Sequence, residues 1–360
     1  MAKGVRFRAT TLLAEQVGYR PYRYRDVRYV KTVPSIKNIT KENYIMIIRQ
    51  AAFENMTSQR HLKGALHCHT TRSDGDSSPE AVVSRYCHDG FDFIALTDHF
   101  VYNRKSPVPH LPITVIPAAE GGCDLNGIEK GFRAYHTVFL GRDDDSNGFA
   151  QDERIPRAQE LSPTGKITCA EDYQPYLDMI REKGNIHFYC HPEWSSTPTR
   201  YFEDMKGNFA LEIRNTDCVL ECKMDENCPC WDELLGQGKR IYGVAVDDIH
   251  RLAMPDRSWV MVNSENNVPA ILDALESGAF YSSYGPRIYD FYVEDDMACI
   301  KCDTVSSVEL ISDRHATRLA RDARGIDYAE FKLYDDYSYV RICITDLYGR
   351  RAWTNPLFID

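Results

Sequence analysis

The amino-acid sequence predicts an α/β protein: a mostly parallel sheet, closed or wound with helices outside, followed by a small antiparallel β-sandwich module. Three observations carry that reading. Short apolar runs alternate with helical stretches at roughly 20–40-residue intervals up to Pro286, the pattern of a parallel sheet. Several of those runs end directly on a histidine or a carboxylate, and in folds of this class function gathers where strands end. After Pro286 the pattern changes to short strands separated by Asp/Gly turns, with no convincing helix.

Taken in order, residues 1–60 are expected to form a cover. A Tyr/Arg/Val-rich strand at 19–33 leads to a helix at 36–56, capped at Thr40 with Glu42 nearby. A strand over 64–69 carries His67-Cys68-His69; side chains alternate faces, so His67 and His69 project together, about 7 Å apart, and Cys68 points away. Asp74 follows. Ser78-Pro-Glu-Ala starts a helix by its cap and first-turn proline, running to about His88. A strand at 91–97 runs into Asp98-His99, and one at 113–119 ends at Glu120-Gly-Gly. The segment 134–140 carries His136, a helix spans 170–183, and a strand at 185–190 ends at His191-Pro-Glu-Trp. Strand 209–214, helix 231–237 and strand 240–246 lead to Asp247-Asp248-Ile249-His250. Strands at 289–293, 306–311, 330–334, 339–345 and 351–359 complete the chain. The expected division is a cover at 1–60, a barrel at 61–286 and a β-sandwich module at 287–360.

Composition excludes several classes. Across 360 residues, 43 Lys and Arg face 53 Asp and Glu, a formal charge of −10. That balance argues against general binding of nucleic acid or of polyanionic membranes. No run approaches the roughly 18 apolar residues of a membrane span, and the N-terminus lacks a signal-peptide core; a cytoplasmic location is expected. The twelve cysteines are expected to be reduced thiols. Neither Cys222, Cys228 and Cys230 nor the pair Cys299 and Cys302 completes a four-ligand structural zinc pattern.

A lone His-x-His is usually two surface histidines on an edge strand. Here His69, His99, Glu120, His191, Asp248 and His250 all fall at predicted strand ends, and scattered core histidines would not prefer one rim. Imidazoles mixed with carboxylates suit Zn²⁺, Fe²⁺ or Mn²⁺ rather than a soft thiolate metal. The spacing of Asp248 and His250 places both on one strand face, with Asp247 facing away; Asp247 and Asp98 then support ligands from behind. His187 is read as packed, and His61, His88, His110 and His315 as surface residues. Gly-x-Ser-x-Gly and a phosphate-cradling Gly-x-x-x-x-Gly-Lys are absent.

In this order, His67-Cys-His69, Asp74, Thr97-Asp-His99, Glu120, His136, His191-Pro and Asp248-Ile-His250 resemble the motif series of the PHP (polymerase and histidinol phosphatase) superfamily, over roughly residues 63–286. The resemblance implies a distorted (β/α)7 barrel holding two or three divalent ions per chain, zinc first, then manganese or iron. By it, His67, His69, Glu120 and Asp248 hold the first ion. Glu120 bridges to a second, held also by His136 and His191, and Asp74, His99 and His250 hold the third. Glu120, Asp248 and His250 take the catalytic roles. Asp74, followed by Gly-Asp-Ser-Ser-Pro-Glu, resembles the small-phosphoesterase branch. The ending from Ile344 through Leu357 resembles the tail of PHP-type metallohydrolases that include carbamate and amide hydrolases.

Three carboxylates against three divalent ions leave about +3 before bound hydroxide, a pocket suited to a phosphate or a developing oxyanion. Ions about 3.5–4 Å apart lower the pKa of water to near 7 and supply the nucleophile. Arg214 and Arg287 are the candidate substrate contacts, each able to fork onto a phosphate; a surface salt bridge is the other reading of each. Trp194 walls the pocket or simply packs. The expected function is a metal-dependent hydrolase of a small phosphorylated metabolite or nucleotide, with amide or carbamate hydrolysis as the alternative. A non-catalytic binding module is disfavoured because all nine ligands are present. The expected partner is a small-molecule substrate, and the sequence leaves the oligomeric state open.

Overall fold

The computed structural model describes residues 27–28, 47–56, 60–126, 132–253, 257–314, 317–334 and 336–359. In chain order the elements are β1 (Val27–Arg28), β2 (Ile47–Arg49), β3 (Leu62–Ala65), α1 (Pro79–His88), β4 (Phe93–Ala95), β5 (Thr114–Ile116), β6 (Ala118–Asp124) and β7 (Ala134–Gly141). There follow α2 (Ala158–Leu161), α3 (Ala170–Glu182), β8 (Asn185–Tyr189), β9 (Asn208–Asn215), α4 (Thr216–Leu220), α5 (Cys228–Gly236), β10 (Tyr242–Val246), β11 (Trp259–Val262), α6 (Val268–Glu276) and β12 (Phe280–Ser283). The chain closes with β13 (Ile288–Glu294), β14 (Met297–Ser312), β15 (Arg318–Lys332), β16 (Tyr339–Thr345), β17 (Arg351–Thr354) and β18 (Leu357–Phe358).

The architecture is mixed α/β with two sheets. One is ordered β10-β9-β8-β7-β6; the other runs β1-β15-β14-β16-β17-β12-β11-β3-β4-β5, with β2, β13 and β18 paired alongside. Among the described residues the strands form no closed barrel. The sheets meet at two seams instead, where parallel bridges join Cys68 to Ile249 and His99 to Glu120. Between them lies an apolar core that includes Leu66, Phe93, Ile116, Val138, Phe188, Val244 and Val260. The sheets are also less parallel than expected. β3, β4 and β5 are parallel, as are β8, β9 and β10, but β6, β7 and β8 run antiparallel, as do β11 and β12. The link from β6 to β7 is too short for the crossover of a dozen or more residues that parallel neighbours need.

Local chemistry explains several elements. The Ser78 hydroxyl caps α1 by accepting the Ala81 N–H at 3.3 Å, Pro79 opens the helix, and Val82, Val83 and Tyr86 form its buried face. The expected helix at 36–56 is not found in its described part: Ile47–Arg49 is a strand paired with β13, and Ala51–Phe53 a single 3-10 turn. Its adjacent β-branched isoleucines suit a strand better than a helix. Of the strand expected at 19–33, only Val27–Arg28 lies within the described residues, and it is a strand.

The strands after residue 286 are antiparallel, as expected, but they are not a detached sandwich. β17 pairs with β12, which makes them an extension of the sheet that contains β3. The long β14 is shared, pairing with β13 over its first half and β16 over its second. No helix of the described residues is long and apolar enough to cross a membrane.

Candidate metal centre

The site lies where the two sheets meet. β3 ends at Ala65, so His67 and His69 sit just past the strand, tied down by the His69 N–H to the Ile249 carbonyl (3.0 Å) and the Asp248 N–H to the His67 carbonyl (3.1 Å). His99 follows β4, His191 follows β8, and Asp248 and His250 follow β10. Glu120 and His136 lie inside β6 and β7, because β6 continues through Gly121 and Gly122. Those glycines are required by close approach. A Cβ at 121 would sit 1.9 Å from the Tyr176 hydroxyl, and one at 122 would sit 2.0 Å from the Tyr135 carbonyl oxygen and 3.0 Å from the His136 ring.

Four buried side chains converge most closely. His67 Nε2 and His69 Nε2 are 3.2 Å apart, and each is 3.3 Å from Glu120 Oε2. Asp248 Oδ1 is 3.1 Å from His67 Nε2 and 3.0 Å from His69 Nε2. Four ligand atoms around one ion with bonds of about 2.1 Å have edges of about 3.4 Å, so these separations are those of a coordination shell. Glu120 Oε2 is buried and has no hydrogen-bond partner, although three imidazoles face it. A buried, unpaired carboxylate oxygen is costly unless a cation meets it, and the donor set fits a divalent ion.

Glu120 reaches two ways. Its Oε1 is 2.8 Å from His136 Nδ1 and 3.4 Å from His191 Nε2. On the outer side, Asp74 lies 3.5 Å from His69 Nδ1 and from His250 Nε2, and 3.6 Å from His99 Nε2. Thus all nine sequence-derived candidates are brought together, with His69 facing two of the groups. His99 also turns its Nδ1 to Glu120 Oε2 at 3.0 Å. Burial alone would raise the Glu120 carboxyl; the facing imidazoles of His99, His136 and His67 outweigh it and hold it well below the usual carboxylate range. His250 is lowered by burial but raised more by Asp74 and Asp248, to about 9.

The strand argument for Asp248 and His250 places them correctly for the wrong reason. β10 ends at Val246, and Asp248 adopts a left-handed backbone with φ 53°; His191 does likewise with φ 25°. Such strain in non-glycine residues is held only where surrounding bonds demand it. Asp247 is fully buried behind the site, accepting from the Tyr86 hydroxyl and the Ser258 N–H, each at 2.6 Å. Asp98 accepts from the Thr70 N–H (2.7 Å), Ser73 (2.9 Å) and Asn103 (2.9 Å), bracing the loop that carries His69.

The arginines are placed elsewhere. Arg214 is buried, donates to Ser258 Oγ (3.1 Å) and Glu226 (3.4 Å), and lies 3.7 Å from the Tyr284 ring centre. Its fork is engaged within the fold. Arg287 is exposed beside Asp303, and among the described residues no contact joins it to the cluster. Trp194 does wall the site, packing against His191 and His136 with ring centres 5.0 and 5.5 Å away; the exposed Phe132 stands edge-on to it.

His61 is not a surface residue. It is buried between Phe53 and Tyr281, with Nε2 2.8 Å from the Ala52 carbonyl. His88 and His110 are exposed, and His315 lies outside the described residues. All twelve cysteines are free thiols. Cys190 lies beside the cluster, where burial pushes its thiol well above the usual range. The residue that sequence reasoning missed is Glu212, fully buried with Oε1 2.6 Å from His67 Nδ1. Its signal was available: one carboxylate inside the apolar strand Phe209-Ala-Leu-Glu-Ile.

No protein-family model matches the chain, and no curated protein does. Similar solved structures include a two-domain protein of Bacteroides vulgatus named as containing a PHP-like metal-dependent phosphoesterase, at 14% identity over 86% of this chain and 96% of that one, with a TM-score of 0.42. An amidohydrolase from Chromobacterium violaceum is similar at 17% identity over 52% of this chain and 87% of that one, TM-score 0.35. A protein from Bifidobacterium adolescentis named as a metal-dependent phosphoesterase is similar at 12% identity over 61% and 98%, TM-score 0.38.

Proposed function

We propose that this chain is a metal-dependent hydrolase acting on small phosphoesters. The observation that carries the proposal is the shell formed by His67, His69, Glu120 and Asp248, with nitrogen and oxygen atoms 3.0–3.3 Å apart. Divalent ions held there would supply Lewis acidity and a water acidic enough to be deprotonated near neutral pH. The chain's own residues do the rest. Glu120 holds two groups of imidazoles on its two oxygens. Asp74, His99 and His250 are partly exposed and form the lip through which a substrate enters. Trp194, with Phe132 edge-on to it, offers an apolar wall beside His136 and His191, suited to an aromatic leaving group or base.

Against two or three divalent ions the three carboxylates Asp74, Glu120 and Asp248 leave about +1 to +3, which favours an anionic substrate. The seven-stranded barrel implied by the motif series belongs to the same reading, with the two seams as its junctions. Amide or carbamate hydrolysis is the second reading, and one observation favours it: Arg214 and Arg287 give the pocket no guanidinium anchor. The test is elemental analysis of the purified chain, then side-by-side turnover of an aryl phosphate, a nucleoside monophosphate and an aryl carbamate with Zn²⁺, Mn²⁺ or Fe²⁺. Phosphoester turnover abolished by chelation and inhibited by inorganic phosphate is expected. Preference for the carbamate, with phosphate a poor inhibitor, promotes the second reading, and an ion-free, inert chain defeats both.

A further inference from the structure

Glu212 belongs to none of the ligand motifs, yet we infer that it is a positioning residue that sets the geometry of the first and second ion sites together. The inference rests on reading the cluster as a metal centre.

A carboxylate buried in an apolar strand is costly unless every oxygen is met. Glu212 is 0% exposed, and both oxygens are met by parts of the centre. Oε1 lies 2.6 Å from His67 Nδ1. Oε2 accepts the His191 backbone N–H at 2.8 Å and the Asn215 side-chain amide at 3.1 Å. The same Asn215 amide donates to Asp248 Oδ2 at 2.9 Å, while its oxygen caps α4 by accepting the Cys218 N–H at 3.0 Å.

The consequences differ for the three ligands. A carboxylate facing Nδ1 keeps the His67 proton on that nitrogen and leaves the Nε2 lone pair facing His69, Glu120 and Asp248. The bond to the His191 N–H holds the left-handed turn from which that ring reaches Glu120. The bond through Asn215 steadies Asp248 in its own left-handed turn. One buried carboxylate thus supports one ligand by its ring, one by its backbone and one through an intervening amide. It touches none of Asp74, His99 or His250.

Glu212→Gln keeps the shape, but the amide must present its NH₂ either to the His67 Nδ1–H or to the two donors from His191 and Asn215. The experiment compares wild type and Glu212→Gln as folded full chains. Co²⁺ affinity is measured by competitive titration, and the His67 imidazole by proton and nitrogen NMR of the metal-free protein. Affinity should fall about 10–100-fold, as when a partner behind a ligand is removed, with the hydrogen-bonded Nδ1–H resonance of His67 lost if the NH₂ faces that ring, or the His191 backbone N–H resonance shifted if it faces the other two donors. A merely structural carboxylate would leave those resonances and the affinity unmoved, and this result overturns the inference. Should Glu212→Gln not fold, Asn215→Ser keeps a capping acceptor and removes the amide that joins Glu212 to Asp248. A several-fold loss of Co²⁺ affinity is then expected, and unchanged affinity overturns the inference. A wild-type chain that binds no Co²⁺ overturns the metal reading as well, whereas a wild type that binds it and an unaffected Glu212→Gln overturn the positioning role alone.

Discussion

The centre and the C-terminal strands both bury side chains, but of opposite chemistry and for opposite purposes. Around Glu120 the buried groups are imidazoles and carboxylates that satisfy one another only in part, on backbone held in unusual conformations at His191 and Asp248. In β13 to β18 the buried groups are Phe291, Ile300, Val308, Leu310, Ile342 and their neighbours, on regular antiparallel ladders. The one fully buried charge there, Arg341, is forked onto Asp232 of α5 at 2.8 and 2.6 Å and packs over Trp231, tying the extension to the opposite sheet's helix layer. The first region leaves a buried carboxylate oxygen unpaired where an ion would meet it, while the second supplies apolar burial. Variants in the two regions should therefore separate chemistry from stability.

The largest expected effect is at the centre. Glu120→Gln should abolish turnover and lower ion content in more than one position, because one carboxylate faces both imidazole groups, while the circular dichroism spectrum stays that of wild type. A clean single-ion protein unchanged by the substitution would break the cluster model. Next comes the tether. Arg341→Ala should lower stability by about 3 kcal/mol, the low end for a broken buried pair, since Asp232 is one-third exposed and can rehydrate. Ion content and turnover per folded molecule should be unchanged; losing them would show that the extension shapes the site. Smaller again is the effect expected of the carboxylate behind the site. Asp248→Asn should eliminate activity, whereas Asp247→Asn, behind the site with Tyr86 and Ser258, should cost about 10–100-fold. Kinetics of the pair decides it, and the reversed order would exchange their roles.

The two regions also differed in how far the sequence disclosed them. The candidate ligands were legible because histidines and carboxylates recurring at or near predicted strand ends have little other reason to be there, and all nine converge. Their supports were less legible. Asp98 and Asp247 could be placed beside the candidate ligands, but Glu212 sits inside a strand with no motif around it, and only its place within an apolar run gives it away. The turns at His191 and Asp248 could not be read, since Asp and His, although enriched among left-handed residues, adopt other conformations at most positions. Arg214 looked available because its ending of a strand says nothing of Glu226 and Tyr284, which come from elsewhere in the chain. For the C-terminal strands the antiparallel class followed from turn residues, and 339–345 was placed to the residue. Their continuity with the sheet that contains β3 depends on β12 meeting β17 across a long separation, which alternation within one strand cannot specify.

The smallest effect concerns a histidine that has the centre's chemistry without its company. His187 is on β8 four residues before His191, fully buried, with Nδ1 2.8 Å from Asn208 Oδ1 and Nε2 unpartnered. Burial lowers its pKa to about 4, against 6.5 for a free imidazole. Where burial of His191 is outweighed by Glu120 and Glu212, which raise it, His187 has no carboxylate at hydrogen-bond distance among the described residues. The sign follows from linkage. Between those two pKa values the unfolded chain binds the proton and the folded chain does not, so stability is complete above about pH 6.5 and falls as the pH drops toward 4. The loss reaches about 1 kcal/mol by pH 6 and about 2 by pH 5. His187→Gln removes the titrating group, so the difference in stability between wild type and variant, followed by denaturant unfolding of the metal-free protein from pH 7.5 to 5, should narrow in the variant's favour by those amounts. A difference that does not move with pH would mean that His187 is charged or solvated in the folded chain, and that burial within β8 does not distinguish a packed histidine from one that meets an ion.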